Sequence, residues 1–337
     1  MSRYISFCIL FSIAIVLLIF SFCGENGGTP DNNLCVWIAD EYNNVVRCFS
    51  IDGSKEFSSP VLPLNDPRSV SIDERNGLVW IADRYNGRIL KIDRSGNILY
   101  TSDFYKYKRV NWVACDSSNG NCWGCARDDG FVVKLDENGN EIGRAVNMGF
   151  PFFCVLETDG KCWASDEKNG KVYLLPSDFT GEVDANNIAL LKIDVAGVGF
   201  ISPDGNGGIF CVHEDTSELT HYDKSGNQLC RIYGFNALTC LWYDIAAKRL
   251  YAGDGGTLRL LKGDLSGDFK VADAQIAMLF GFGSIDYMQV SGYDGTLWVA
   301  DKGRDSVHII KGDISERIRE INGFHDPFGI SIRDEVK

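Results

Sequence analysis

The chain has 337 residues, 45% hydrophobic and 23% charged, a globular composition; 36 glycines against 8 prolines favour many tight turns over a disordered, Pro-rich chain. Its formal net charge of −13 argues against a nucleic-acid binder, because affinity for phosphates rests on clustered Lys and Arg. The densest basic group, Lys106, Lys108 and Arg109, lies among aromatic residues in one loop.

Residues 1–23 read as an export signal: Arg3 is their only charge, and Ile5 to Phe22 is almost continuously apolar. That run of about 18 residues is nearly long enough to span a bilayer uncleaved. Cys23-Gly24-Glu25 then opens a polar tether over residues 24–33. The pattern resembles a bacterial lipoprotein signal, in which Cys23 would be lipidated and become the mature N-terminus, although Phe22 stands where that pattern has a small residue. Ordinary cleavage after Cys23 and an uncleaved anchor are the alternatives. The expected location is extracytoplasmic, in the envelope, periplasm or cell surface, with the membrane surface reached through the N-terminus.

From residue 34 onward the chain repeats itself. Val36-Trp37-Ile38-Ala39-Asp40 recurs as Val79–Asp83, Cys162–Asp166 and Leu297–Asp301, with weaker copies at Cys122–Ala126, Ile209–His213 and Leu250–Asp254. Seven copies spaced by about 40–47 residues have the period of a propeller blade. Before each copy runs an apolar strand, as at Ser69–Asp73; after it come a polar turn, an alternating strand such as Arg88–Ile92, a second turn and a short fourth strand. The four strands of a blade are named a to d from the axis outward, and the repeated segment is strand b. An aromatic residue occupies its second slot in all seven copies (Trp37, Trp80, Trp123, Trp163, Phe210, Tyr251 and Trp298), which predicts packing of blade on blade. The folded part begins with a strand b at Val36 and ends with an unpartnered strand a at residues 325–332. The expected fold is therefore an all-β, seven-bladed β-propeller over residues 34–337, its four-stranded antiparallel ring closed by a composite blade from both termini.

The segment Trp80 to Asn97, Trp-Ile-Ala-Asp-Arg-Tyr-Asn-Gly-Arg-Ile-Leu-Lys-Ile-Asp-Arg-Ser-Gly-Asn, resembles an NHL repeat, and the likeness extends from Leu34 to the C-terminus. Members resembling this repeat include scaffolds, ligand binders and a few metal-dependent lyases, so the resemblance implies the fold and leaves the function open. The lyases use several histidines near the central channel. This chain has four, and His221 and His308 fall on strands c.

A site is expected on the face carrying the b–c turns and the loops that lead into strands a. The column ending strand b reads Asp40, Asp83, Ala126, Asp166, His213, Asp254 and Asp301; its aspartates read as caps of their own turns, with a calcium-binding ring as the alternative. His213 breaks that column without evident structural benefit, and His325-Asp326 enters the last strand a. Arg68, Arg109, Asn236 and Asp286 enter near the tops of other inner strands. His213, His325 and these four are the candidate ligand-binding residues, for an anionic ligand or a divalent metal in the channel. No catalytic residue and no cofactor is assigned: no Gly-x-Ser-x-Gly elbow, phosphate loop or His-Glu-x-x-His occurs. Cys122-Trp123-Gly124-Cys125 has redox spacing, but strand alternation points its sulfurs to opposite faces. Cys115 with Cys122, and Cys35 with Cys48, are candidate disulfides across hairpins. The leading reading is a non-enzymatic module that binds a protein or small-molecule ligand; the alternative is a metal-dependent hydrolase or lyase acting at the channel.

Overall fold

In the computed structural model, which describes residues 34–60 and 62–333, each repeat forms one antiparallel sheet, and seven such sheets ring a central axis. Strand a is innermost, for example Pro67–Asp73, and is followed outward by Leu78–Asp83, Arg88–Ile92 and Ile98–Thr101. The ring closes as the permuted sequence requires. Cys35–Asp40 pairs with Val45–Ser50 on one side and with the last strand, Pro327–Arg333, on the other, Val36 lying opposite Ile332. Residues almost three hundred positions apart thus share one sheet, and neither the first nor the last strand is left without a partner.

The aromatic slot of strand b does the packing expected of it. Trp37, Trp80, Trp123, Trp163 and Trp298 are fully buried, and Phe210 and Tyr251 nearly so. The sulfurs of the Cys122–Cys125 segment do separate, Cys122 packing in the cluster around Trp80 and Cys125 in the one around Trp112. Cys115 lies directly opposite Cys122, and Cys35 diagonally from Cys48; all four are free thiols.

Two blades depart from the plain repeat. Between strands c and d of the fourth and sixth blades, the related sequences Asp178-Phe179-Thr180-Gly181 and Asp264-Leu265-Ser266-Gly267 lead into extra strands, Gly181–Asp184 and Gly267–Lys270. Each pairs in parallel with strand d of the preceding blade, Glu141–Val146 and Gln228–Tyr233. They cover two outer edges that would otherwise be exposed and clasp neighbouring blades together. Among the described residues no helix is long and apolar enough to cross a membrane.

The aspartate column holds more than its own turns. Asp40, Asp83 and Asp166 do accept the amides of Asn43, Asn86 and Asn169 in the following turns. Each also accepts from the loop that enters strand a of the same blade. His325 N–H donates to Asp40 at 2.8 Å and Asn65 N–H to Asp83 at 2.8 Å. Gly149 and Phe150 donate to Asp166, Asn236 and Ala237 to Asp254, and Gly283 and Ser284 to Asp301. A charged acceptor with two backbone donors is worth more than a neutral turn contact. Asp254→Ala strands the Asn236 and Ala237 N–H groups and the Arg259 guanidinium, 2.7 Å from the carboxylate. It should cost about 3 kcal/mol in urea unfolding at unchanged m-value; a change within about 0.5 kcal/mol would show the column to be ornamental.

Candidate functional site

Every strand a begins with a β-bulge, where its register against strand b shifts after the first pair. The residue released from pairing is Arg68, Asn111, Phe152, Gly199, Thr239, Asp286 or Phe328, blade by blade. A bulge re-aims its side chain, and here Arg68, Phe152, Thr239, Asp286 and Phe328 line one cavity of about 380 Å³ at the upper mouth of the channel. The next position inward carries Trp112, Phe153, Phe200 and Tyr287 in four blades. Their rings stack at centroid distances of 4.4 Å (Trp112–Phe153), 5.0 Å (Phe153–Phe200) and 5.0 Å (Trp112–Tyr287), with Phe328 against Phe200 at 6.0 Å. This aromatic plug divides the channel. Below it lies a second cavity of about 440 Å³, opening among the a–b turns and ringed by Ser71, Ala114, Val155, Ser202, Trp242, Gln289 and Ser331.

The upper mouth is polarised. Arg68 donates to Glu41 at 3.0 Å and its guanidinium lies 4.0 Å over the Phe328 ring, while its buried Nε has no partner. Across the cavity stand Glu214 and Asp286. Asp286 accepts from Ser284 and lies 4.0 Å from Lys302, yet burial still pushes its carboxyl above the usual range. Glu214 is exposed at the rim but reaches inward over Gly199, where any Cβ would collide with its carboxylate. Loss of surrounding water and the nearby Glu167 raise Glu214 to about 7; burial raises Glu41 to about 7 against the pull of Arg68. Further ion pairs brace the rim: Arg84–Asp66 at 2.9 Å, Arg127–Glu167 at 2.8 Å and Lys302–Asp326 at 2.7 Å.

Of the six residues expected to bind ligand, the structure brings Arg68 and Asp286 together in the upper cavity. His325 and Asn236 sit two residues before a strand a, where their backbone N–H groups serve Asp40 and Asp254; the His325 ring is exposed, edge-on to Tyr42. Arg109 pairs with Asp128 at 3.7 Å. His213 does have a structural task. Its Nδ1 lies 2.9 Å from the Ala196 carbonyl and its Nε2 2.8 Å from the Thr220 hydroxyl. A carbonyl only accepts, so Nδ1 carries a proton; burial lowers the ring's pKa and so favours the neutral form, in which Nε2 accepts from the Thr220 hydroxyl. His213 thus holds the entry loop that an aspartate holds in other blades. In the third blade, where Ala126 leaves the column empty, Asp129 accepts from Lys108 N–H instead. The aspartates serve as loop anchors in this geometry, and among the described residues no three His, Cys, Asp or Glu side chains gather as metal ligands.

Glu41 and the aromatic plug are the site residues that strand patterning passes over. The signal for both is alignment: the residue after each column position, and the third residue of each strand a.

These observations define a closed seven-bladed β-propeller with a charged, aromatic-floored mouth. Residues 64–92, which span strands a to c of the second blade, match the family model of the NHL repeat. No curated protein sequence matches it significantly. It is similar in structure to a functionally unknown protein from Desulfotomaculum acetoxidans, at 11% identity and TM-score 0.69 over 88% of this chain and 98% of that one. It is also similar to a 6-phosphogluconolactonase candidate from Bacteroides fragilis, at 11% identity and TM-score 0.68 over 89% and 98%. A catalytically inactive virginiamycin B lyase from Staphylococcus aureus with quinupristin aligns at 11% identity and TM-score 0.61 over 76% and 84%. At such identities the likeness carries the fold alone.

The raised carboxyl of Glu214 has a measurable consequence. Between its unfolded value near 4.5 and its folded value near 7, the native state holds a proton that the unfolded state has lost. Stability therefore falls as pH rises through this window. Glu214→Gln should flatten the decline of unfolding temperature between pH 5 and pH 7 (about the window just derived); an unchanged slope would place the coupling elsewhere.

Proposed function

We propose that this propeller is a non-enzymatic, extracytoplasmic module that binds a small organic ligand in its upper mouth. The observation that carries this reading is the convergence of the bulged residues on one cavity, with Arg68 on one side and Asp286 and Glu214 on the other. Such a cavity suits a ligand with an acceptor for the unspent Arg68 N–H groups, a donor for the carboxylates, and an apolar body over Phe152, Phe200 and Phe328. Free amino acids and dipeptides have that arrangement of groups. A thermal-shift screen of these compounds should find ligands whose effect disappears in Arg68→Ala and Asp286→Asn. Hits that persist in both variants would move the site away from the mouth. The hydrolase or lyase reading would need metal ligands converging on the channel, and among the described residues no three His, Cys, Asp or Glu side chains gather there.

The N-terminal segment supports export with a membrane tether through Cys23, a position outside the described residues. Incorporation of a labelled fatty acid should occur in the wild type and vanish in Cys23→Ser. An unlabelled wild-type protein, free in the extracytoplasmic fraction, would favour ordinary cleavage.

A further inference from the structure

The cavity below the aromatic plug differs in chemistry from the one above. No Lys or Arg lines it, and its two carboxylates, Glu74 and Glu157, stand among the a–b turns at its opening. Three serines on its wall are already fixed in orientation, because each Oγ accepts a backbone N–H from the neighbouring blade. Ser331 accepts from Ile72 at 3.1 Å, Ser71 from Cys115 at 2.9 Å and Ser202 from Tyr243 at 3.0 Å. Those bonds leave each hydroxyl proton without a protein acceptor among the described residues. The Gln289 amide and the Trp242 indole N–H likewise lack a protein partner there, and neither residue is fully buried. Trp242 keeps part of its ring exposed, whereas the tryptophans of strands b are buried between blades. It stands across the ring from Ser71 and Ala114, so a slot separates a large aromatic wall from a small polar one.

We propose that this lower chamber binds a neutral sugar ring, free or at the end of a glycan chain, with the C–H face of the ring on Trp242 and its hydroxyls on Gln289, Ser71, Ser202 and Ser331. A wholly apolar ligand would strand these polar groups, at a cost in binding. An anionic ligand would find no Lys or Arg on the chamber wall to receive it. A neutral polyhydroxylated ring satisfies both constraints, since it offers an apolar face together with donors and acceptors around its edge. The volume of about 440 Å³ has room for one or two rings and ends blindly at the plug, which selects a free sugar or a chain terminus over the middle of a polymer.

Calorimetry and tryptophan fluorescence on the intact protein, with glucose, galactose, N-acetylglucosamine, cellobiose, trehalose and glucose 6-phosphate as probes, test the proposal. At least one neutral sugar should bind. Loss of the aromatic contact in Trp242→Ala should weaken it by about tenfold, Trp242→Phe should restore much of the affinity, and Gln289→Ala should also weaken it. Arg68→Ala, in the upper mouth, should leave sugar affinity unchanged, which separates this site from the one above. A disaccharide binding more tightly than its monosaccharide would identify a chain end as the ligand, and the reverse a free sugar. The proposal falls if no neutral sugar binds at millimolar concentration, if Trp242→Ala binds as the wild type does, or if glucose 6-phosphate binds more tightly than glucose.

Discussion

The structure depends on a single recurring bond, from a carboxylate at the end of strand b to the backbone N–H groups of the loop entering strand a. The loop arrives from the outer rim of the preceding blade and must turn toward the axis before it can pair. Its N–H groups are then beyond reach of any strand, and the aspartate supplies the missing acceptor. Because the loop is pinned at that height, the first residues of strand a enter pairing out of step, and the bulge follows. What projects into the mouth thus follows from a loop held by an aspartate one strand away, or by Asp129 and His213 in the third and fifth blades. The arrangement also explains how so many acidic groups are tolerated at one face: those of the column are consumed by donors, while burial raises Glu41, Glu214 and Asp286 in the mouth as well as Asp40 and Asp83 in the column.

The aromatic plug is the second consequence of the same geometry. Seven inner strands leave a hole at the axis too wide for small side chains to fill. Four blades place Trp112, Phe153, Phe200 and Tyr287 at one level, while Ser69, Cys240 and Gly329 occupy it in the others. Phe328, released by the bulge beside Gly329, completes the closure. The plug is off-centre and therefore leaves room on both sides: charged above, where entry loops and b–c turns bring Arg, Asp and Glu, and neutral on the walls below, where only strand interiors contribute.

The blade count, the composite closure and the packing role of the strand-b aromatics were legible in the sequence because each rests on a periodic feature. The parallel fifth strands were not, since four-residue segments such as Gly181–Asp184 carry no period of their own and gain their partner only through tertiary proximity. The candidate site was legible in part. Arg68 and Asp286 could be placed because they follow a turn and open an inner strand. His213 and His325 drew attention by chemical type, and type does not disclose where a hydrogen-bonding capacity is spent. Glu41 and Glu214 were obscured by lying one residue beyond the conspicuous aspartate column, in what pattern alone reads as a solvated turn.

That last contrast separates structural from functional departures within a repeat. A residue that breaks a column can replace the lost bond by other means, and His213 does so, with both ring nitrogens committed to Ala196 and Thr220. Asp129 does so for Ala126 from a different position in the turn. Neither retains capacity for a ligand without releasing an entry loop. Arg68 keeps a buried Nε with no partner, and Trp242 and Gln289 keep polar groups turned into a chamber. Unpartnered groups sealed into blade packing, such as the indole N–H groups of Trp37, Trp80 and Trp298, stay unpartnered, whereas those that face a cavity above or below the plug can be completed by a bound molecule.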